Sequence, residues 1–484
     1  MRAVVGLDLG TTVIKALVMG EDGRLLSHSA REAELSHPHP GWAEQSSEMW
    51  LRLARSVTSE AVRSCRAEVV ALSISSQGLS WVPVDEAARP LRDAITWLDT
   101  RSTALVESIS DQMRDLPSIV GKDPAPWHPL PQWLWVREHE PGVARATRGL
   151  RMAMDLVIED LTGGAVTDPT MAAGALLMDL AEGQWSAEIC RRFDIALDML
   201  PGIRPAGSVA GEVPSAKAEE WGLPTGCAVI VGGQDQKCAA YAAGLSPGTA
   251  CLSLGTSSAV TVPVEEPRWD RAVRVPCFPQ LCGGWELEAP LATTGGALRW
   301  LRDLLRGVDP SLDFAAIEQA AAASPVGCRG VRFTPHLSGA QAPWWNPDAR
   351  ASWTGMTLAA ALPDLTRAVF EGTACEIALQ LDAVDPAGTR VRDVEVFGGG
   401  ARSELWLSII ASVCGRELSA SGNAEMAAIG ACILAGISCG LFRDRDDALG
   451  RMHLPSRRVL PKDKGAYEEA VREYEAVSRL LAAR

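Results

Sequence analysis

Apolar residues dominate positions 3–9 and again 13–19, with Gly10-Thr11-Thr12 between them and Glu21-Asp22-Gly23 after. Strand-forming residues bounded by turn formers predict two strands joined tightly. The period then lengthens. Met49, Trp50, Leu53, Val57 and Ala61 recur on one face of a predicted helix, with Ser46 or Ser47 as its N-cap. Short β-rich runs at 69–75, 81–84 and 93–97 predict further strands, 132–138 and 154–161 predict helices, and 228–232 predicts a strand ending in Gly-Gly.

The pattern starts again near the middle. Leu252-Ser253-Leu254-Gly255-Thr256-Ser257 follows Leu7-Asp8-Leu9-Gly10-Thr11-Thr12 position for position, and an extended run over 259–264 comes next, as 13–19 does in the first half. A helix is expected at 296–305, a Pro/Trp-rich loop at 335–353, a long helix at 365–383, a strand at 394–397, a glycine run, a helix at 403–413 and an amphipathic surface helix at 464–483. Strands alternating with helices in two similar halves predict α/β architecture in two lobes, 1–244 and 245–484, with a cleft between them. Residues 427–442 carry no charge but fall short of the roughly 18–20 apolar residues of a membrane span, so they read as a tightly packed internal helix.

A length of 484 residues suits two cores rather than one. The net charge of −14, from 46 basic and 60 acidic residues, argues against a nucleic-acid-binding surface. It also means that an anionic ligand needs local compensation from a metal ion and backbone amides. Twelve cysteines show no CxxC spacing and most sit in apolar runs, as small buried hydrophobes would in a reducing cytoplasm. The apolar start is broken by Asp8 and Lys15 and reads as a strand, not a signal peptide.

Each Gly-Thr-Thr/Ser turn offers N–H groups and hydroxyls suited to phosphate oxygens, and one in each half suggests a polyphosphate held between two lobes; two ordinary hairpins would look the same. Asp8, just before the first turn, would repel phosphate unless a divalent cation stood between them; otherwise it caps the turn. Asp235 in Gly232-Gly233-Gln234-Asp235-Gln236 follows a strand and two glycines. It stands where it can take a proton from a hydroxyl, or else it N-caps a helix at 237–243. Gly398-Gly399-Gly400-Ala401-Arg402-Ser403 lets a flat ring approach the backbone, or simply turns a strand into a helix. It lacks the third glycine of a dinucleotide fingerprint, and no GxxxxGK[ST] sequence occurs. Gln77, Trp97, Asp99 and Arg101 can bind and cover a sugar; the other reading is a core tryptophan beside a surface ion pair. His37 and His39 have no further ligand at a supporting spacing and read as a solvated loop.

Taken in order, these segments resemble the FGGY carbohydrate kinases, and within them the xylulokinase-like branch. The motifs are Gly6-Leu7-Asp8-Leu9-Gly10-Thr11-Thr12, the PGWxEQ-like loop from Pro40 to Gln45, Ala94-Ile95-Thr96-Trp97-Leu98-Asp99-Thr100-Arg101, Leu161-Thr162-Gly163 with Thr167-Asp168, the Asp235 segment, Leu254-Gly255-Thr256-Ser257, Gly295-Gly296-Ala297-Leu298-Arg299-Trp300, and the 398–403 glycine run followed by Trp406. The resemblance covers nearly the whole chain.

It implies two duplicated actin-like (ribonuclease H-like) α/β domains with ATP, Mg²⁺ and a sugar in the central cleft. Asp235 is then the catalytic base. Gln77, Gly78, Trp97, Asp99, Arg101, Asp235 and Gln236 bind the sugar. Gly10, Thr11, Thr12, Lys15, Gly255, Thr256, Ser257, Gly295, Gly296, Gly399, Gly400, Ala401 and Ser403 bind the nucleotide, and Asp8 and Asp235 serve the metal. The expected reaction is transfer of the γ-phosphate to a primary hydroxyl of a ketose, D-xylulose first. The alternatives are ribulose, erythrulose or glycerol as acceptor, or an actin-like nucleotide switch. The expected partners are small molecules, with no nucleic acid or membrane and with a homodimer as the assembly the family allows. Two departures stand out. The family's Gly-Gln-Met-His-Gly reads Ser76-Gln77-Gly78-Leu79-Ser80, and its Ser-Gly-Glu-Arg-x-Pro reads Ser338-Gly339-Ala340-Gln341-Ala342-Pro343.

Overall fold

The computed structural model describes residues 1–388 and 390–482. The two runs that open the chain form β1 (Arg2–Leu9) and β2 (Val13–Gly20), and β3 (Leu25–Glu32) continues the antiparallel meander. With β4 (Glu68–Ser76), β5 (Val209–Glu212) and β6 (Ala228–Gln234) they build a sheet of order β5-β6-β4-β1-β2-β3. The three strands β1, β4 and β6 are parallel neighbours.

The second half repeats this plan. Its strands are β7 (Thr249–Leu254), β8 (Ser258–Val264), β9 (Cys277–Pro279), β10 (Trp285–Leu291), β11 (Asp393–Phe397), β12 (Leu418–Ser421) and β13 (Arg457–Val459), in the order β9-β10-β8-β7-β11-β12-β13. Here β7, β11 and β12 are the parallel trio and β7-β8-β10 the meander, matching β1, β4, β6 and β1-β2-β3. The sequence repeat is thus a repeat of topology.

Alternation along β1 divides the first lobe's core. Ala3, Val5, Leu7 and Leu9 face α1 (Ser47–Ser64), whose Met49, Trp50, Leu53, Ala54, Val57 and Ala61 are buried and whose N-cap is Ser46, with its hydroxyl accepting from Met49 N–H. On the opposite face, Val4 packs toward α6 (Met426–Ser438), the uncharged helix from the other end of the chain. Gly6 and Asp8 alternate onto that same face. The approach is close: a Cβ on Gly6 would overlap the Ala428 carbonyl, and one on Gly430 would overlap the carbonyl of Cys238 on α2 (Asp235–Ala242). Two helices rich in small residues, α2 and α6, are therefore packed together beside both sheets, in a cluster that includes Cys251 and Phe397 from the second sheet. The remaining helices used below are α3 (Gly295–Arg306), α4 (Leu362–Val384) and α5 (Glu404–Cys414). No helix among the described residues is long and apolar enough to cross a membrane.

Most expected elements are present with ends moved by one to three residues. The strand expected at 93–97 shrinks to Ala94–Ile95, because Thr96 and Asp99 close a turn through Asp99 N–H to the Thr96 carbonyl (3.0 Å). The terminal helix runs Lys464–Ala482, and position 483 of the expected span lies outside the described residues.

Candidate active site

Asp8 and Asp235 stand at the C-terminal ends of β1 and β6, separated by β4. Asp8 is buried; its Oδ1 accepts the Ser75 hydroxyl of β4 (2.8 Å), and its Oδ2 faces the Lys15 ammonium at 3.5 Å. Burial raises its pKa against the pull of Lys15 and Ser75. Lys15 also pairs with Glu425 at the start of α6 (2.9 Å), so burial works against its charge but the two carboxylates hold its pKa above the ordinary value.

Asp235 is partly open to solvent, and its carboxyl is pushed up to about 7 by burial and then by the Asp8 charge. It does not N-cap a helix at 237–243 as the bland reading had it. The helix begins at Asp235 itself, with Gln234 as N-cap residue, and the Asp235 Oδ1 accepts the neighbouring Gln236 N–H (2.7 Å). The Thr167-Asp168 segment fixes this corner. The buried Asp168 accepts the Thr170 hydroxyl (3.0 Å) and the N–H groups of Thr170 and Met171, and Thr170 Oγ1 accepts the Gln234 N–H (2.9 Å). That side-chain relay reaches the backbone one residue before Asp235.

The two glycine-hydroxyl turns differ in what they leave free. Thr12, Gly255, Thr256 and Ser257 are exposed. Thr11 is not free: its hydroxyl donates to Gln77 Oε1 (3.0 Å) and accepts the indole N–H of Trp97 (2.9 Å). Gly295 and Gly296, expected at the nucleotide, direct their N–H groups to the Gly255 and Thr256 carbonyls (3.0 and 2.9 Å) and brace the second turn from α3. Arg299, which the Gly295–Trp300 motif contains without marking a role, lies near the start of α3 and brings its guanidinium to the Thr256 hydroxyl (3.4 Å). Its place three residues after Gly296 on a helix beginning at the turn was the available signal. In the 398–403 run Gly399 is exposed, while Gly400 wedges against Leu254 and Trp406. Ala401 is buried in the second core. The Ser403 hydroxyl is taken up inside the protein, capping α5 at Trp406 N–H (3.1 Å) and donating to Glu318 (2.8 Å).

The expected sugar set divides in the same way. Trp97 is exposed, not a core residue. Gln77 is buried, with Oε1 accepting from Thr11 and Ser80 and Nε2 donating to Gln45, so its amide ties the first turn to the sugar wall and keeps one N–H to offer. Asp99 and Arg101 are a buried pair, not a surface one. Asp99 accepts Ala43 N–H (2.6 Å) and the Arg101 N–H and Nε–H (both 2.9 Å), and the guanidinium lies over Trp42 (3.8 Å to the ring centre) and pairs with Glu44 (2.6 Å). Their polar atoms face inward because the loop 40–45 folds over them. Among the described residues no three His, Cys, Asp or Glu side chains gather as a metal cluster. All twelve cysteines are free thiols.

Between the lobes, Lys237 of α2 reaches Glu286 (2.5 Å) and Glu288 (2.6 Å) of β10, two residues beyond Asp235. The pairing is almost wholly buried at Lys237 and Glu286 and joins the helix of one half to the sheet of the other.

Residues 3–242 match the N-terminal domain, and residues 250–439 the C-terminal domain, of the FGGY family of carbohydrate kinases. The chain belongs to this family. An FGGY carbohydrate kinase uses ATP, and this one is 29% identical to the xylulose kinase of Escherichia coli (strain K12) over 99% of its own length and 100% of that protein's. It is 27% identical to the solved xylulose kinase of Rhodospirillum rubrum, with a TM-score of 0.90 and 99% of each chain covered. The gluconate kinase of Lactobacillus acidophilus shares the fold at a TM-score of 0.94 and 23% identity, covering 100% of this chain and 98% of that one. The duplicated sheets are those of the actin-like FGGY fold.

Proposed function

We propose that this FGGY kinase transfers the γ-phosphate of ATP to a primary hydroxyl of a ketose, with D-xylulose the first candidate, in a cleft between lobes 1–244 and 245–484. The observation that carries the reading is the placement of the partly exposed Asp235 carboxyl just past the C-terminal end of β6, at the same end of the sheet as Asp8 on β1. A base poised there accepts a proton at working pH. As the sugar oxygen forms its bond to the γ-phosphorus and the bridging P–O bond to ADP breaks, Asp235 takes the hydroxyl proton and later gives it to water. Such a base contributes about 10²–10⁴ in rate, and most of the rest comes from positioning and amide donors.

Gly10, Thr12, Gly255, Thr256, Ser257, Arg299 and Gly399 are the groups left to meet the nucleotide. Asp8 fits a Mg²⁺ role: among the described residues its Oδ2 meets only the Lys15 ammonium, at 3.5 Å, and a second carboxylate stands near. The cation, when bound, supplies positive charge to the phosphate oxygens. D-xylulose is favoured by the xylulose kinases at 28–29% identity over nearly the full chain.

The test is ADP release from Mg-ATP over a panel of pentuloses, hexuloses, tetruloses, polyols and gluconate against a no-sugar blank. Strong stimulation by D-xylulose is expected. Selectivity for another acceptor would replace the sugar and keep the base. Turnover equal to the blank throughout would favour a nucleotide switch.

A further inference from the structure

The sugar wall is short of polar groups. Gln77 gives its Oε1 to Thr11 and Ser80 and one Nε2 hydrogen to Gln45, and Asp99 and Arg101 are engaged with each other and with the loop at 40–45, leaving Arg101 Nη1 unpartnered. The two residues standing where xylulokinases have Met and His supply no polar group. Gly78 has no side chain, and Leu79, at φ 65°, lays its side chain against Gly174. Two amides flank Asp235, and of these Gln234 is the one with a buried atom left unpartnered among the described residues. The Gln234 side chain lies over Gly78, where an added Cβ would stand 3.0 Å from its Cγ, 3.1 Å from its Nε2 and 3.3 Å from its Cδ. Gln234 thus fills the space that a side chain at 78 would claim. Its backbone is pinned by Thr170, so the side chain starts from a fixed point. Its Oε1 is shut off from solvent and has no hydrogen-bond partner among the described residues. A buried polar atom left unpaired is costly, and a site tends to keep one only where something else completes it.

We propose that Gln234 is a specificity-determining residue: its amide, seated over Gly78 next to Asp235, reads a hydroxyl of the acceptor adjacent to the one phosphorylated. A primary amide both donates and accepts, as a hydroxyl does, and rotation about its last torsion presents either end. A site built to bond a hydroxyl rejects the analogue that lacks it far more strongly than an apolar pocket discriminates by size. This inference rests on the kinase reading and extends it to the acceptor's pattern of hydroxyls.

The experiment uses the full chain, the acceptor that the wild type turns over best, and the monodeoxy analogues of that acceptor. Gln234→Leu keeps the volume and removes the hydrogen bonds. It is expected to raise KM for the acceptor by about 10-fold or more and leave KM for ATP within about 2-fold. One deoxy analogue, poor for the wild type, should become as good a substrate for the variant as the parent sugar. Gly78→Ala, which crowds the amide from below, should shift the acceptor preference in the same direction, and it decides the matter if Gln234→Leu does not fold. An equal loss of kcat/KM for the parent and every deoxy analogue, or an unmoved profile in a folded variant, would overturn the proposal while leaving the kinase reading intact. A wild type that phosphorylates no acceptor would overturn both.

Discussion

At the scale of single residues, an Asp235 carboxyl ionising at about 7 ties activity to pH. For the chemical step, kcat/KM should rise tenfold per pH unit below about 7 and level above it, measured by ADP release at saturating ATP. The same shift carries a stability sign. A folded-state pKa above the unfolded value means that the folded protein holds the proton more tightly, so stability falls as pH rises from about 4 to about 7. Asp235→Asn should therefore lose about 10²–10⁴ in kcat and still melt higher than the wild type, with the gain larger at pH 8 than at pH 5. Equal melting temperatures at both pH values would remove the shift. Thr170 acts through Gln234: Thr170→Val should lower kcat about 10-fold and move the pH limb, and Thr170→Ser should restore both. Trp97 is exposed and proposed to cover the sugar, so Trp97→Ala should raise KM for the sugar more than for ATP in steady-state kinetics. Asp8, Asp235 and Trp97 stand out in the sequence as candidates because a carboxylate at a strand end or an aromatic in a polar segment signals chemistry. The sequence could not show that Gln77, Asp99, Arg101 and Ser403 turn inward. Whether a polar side chain faces a ligand or a backbone amide depends on residues dozens of positions away, such as Ala43 for Asp99 and Glu318 for Ser403.

At the scale of elements, the crossing of α2 and α6 depends on absent side chains. Gly430→Ala would drive a methyl into the Cys238 carbonyl and should cost about 1–3 kcal/mol or more, read as a lower denaturation midpoint, with the base geometry disturbed because α2 begins at Asp235. Helices and strands were legible from period alone wherever one face was buried, as in α1 with its five spaced apolar residues. The uncharged run at 427–442 was legible as an internal helix but not as the cover of the first lobe's sheet. A helix apolar on every side does not say which neighbour it meets.

At the scale of the whole molecule, the Lys237–Glu286–Glu288 group is a buried polar link between halves, alongside the Lys15–Glu425 pair. Lys237→Met leaves two glutamates without their cation and should destabilise the protein by about 3–5 kcal/mol, whereas replacing all three residues with apolar ones of similar volume should cost much less. Chemical denaturation of the single and triple variants distinguishes a stranded charge from lost packing. The duplicated architecture was legible because both halves open on the same hairpin. The lobe-to-lobe contacts were not, since neither Lys237 nor Glu288 carries any local mark of its partner.

The position of α6 also sets a timetable for the ribosome. The first sheet is fully encoded once β6 ends at Gln234, but the helix that seals its second face begins at Met426, about 190 residues later. At about 5–20 residues per second, that face stays uncovered for about 10–40 s. Throughout that interval Val4, Leu17, Ala71 and Ile230 are an apolar surface awaiting its lid, so the nascent first half is a natural client for a holding chaperone until the chain's own far end arrives.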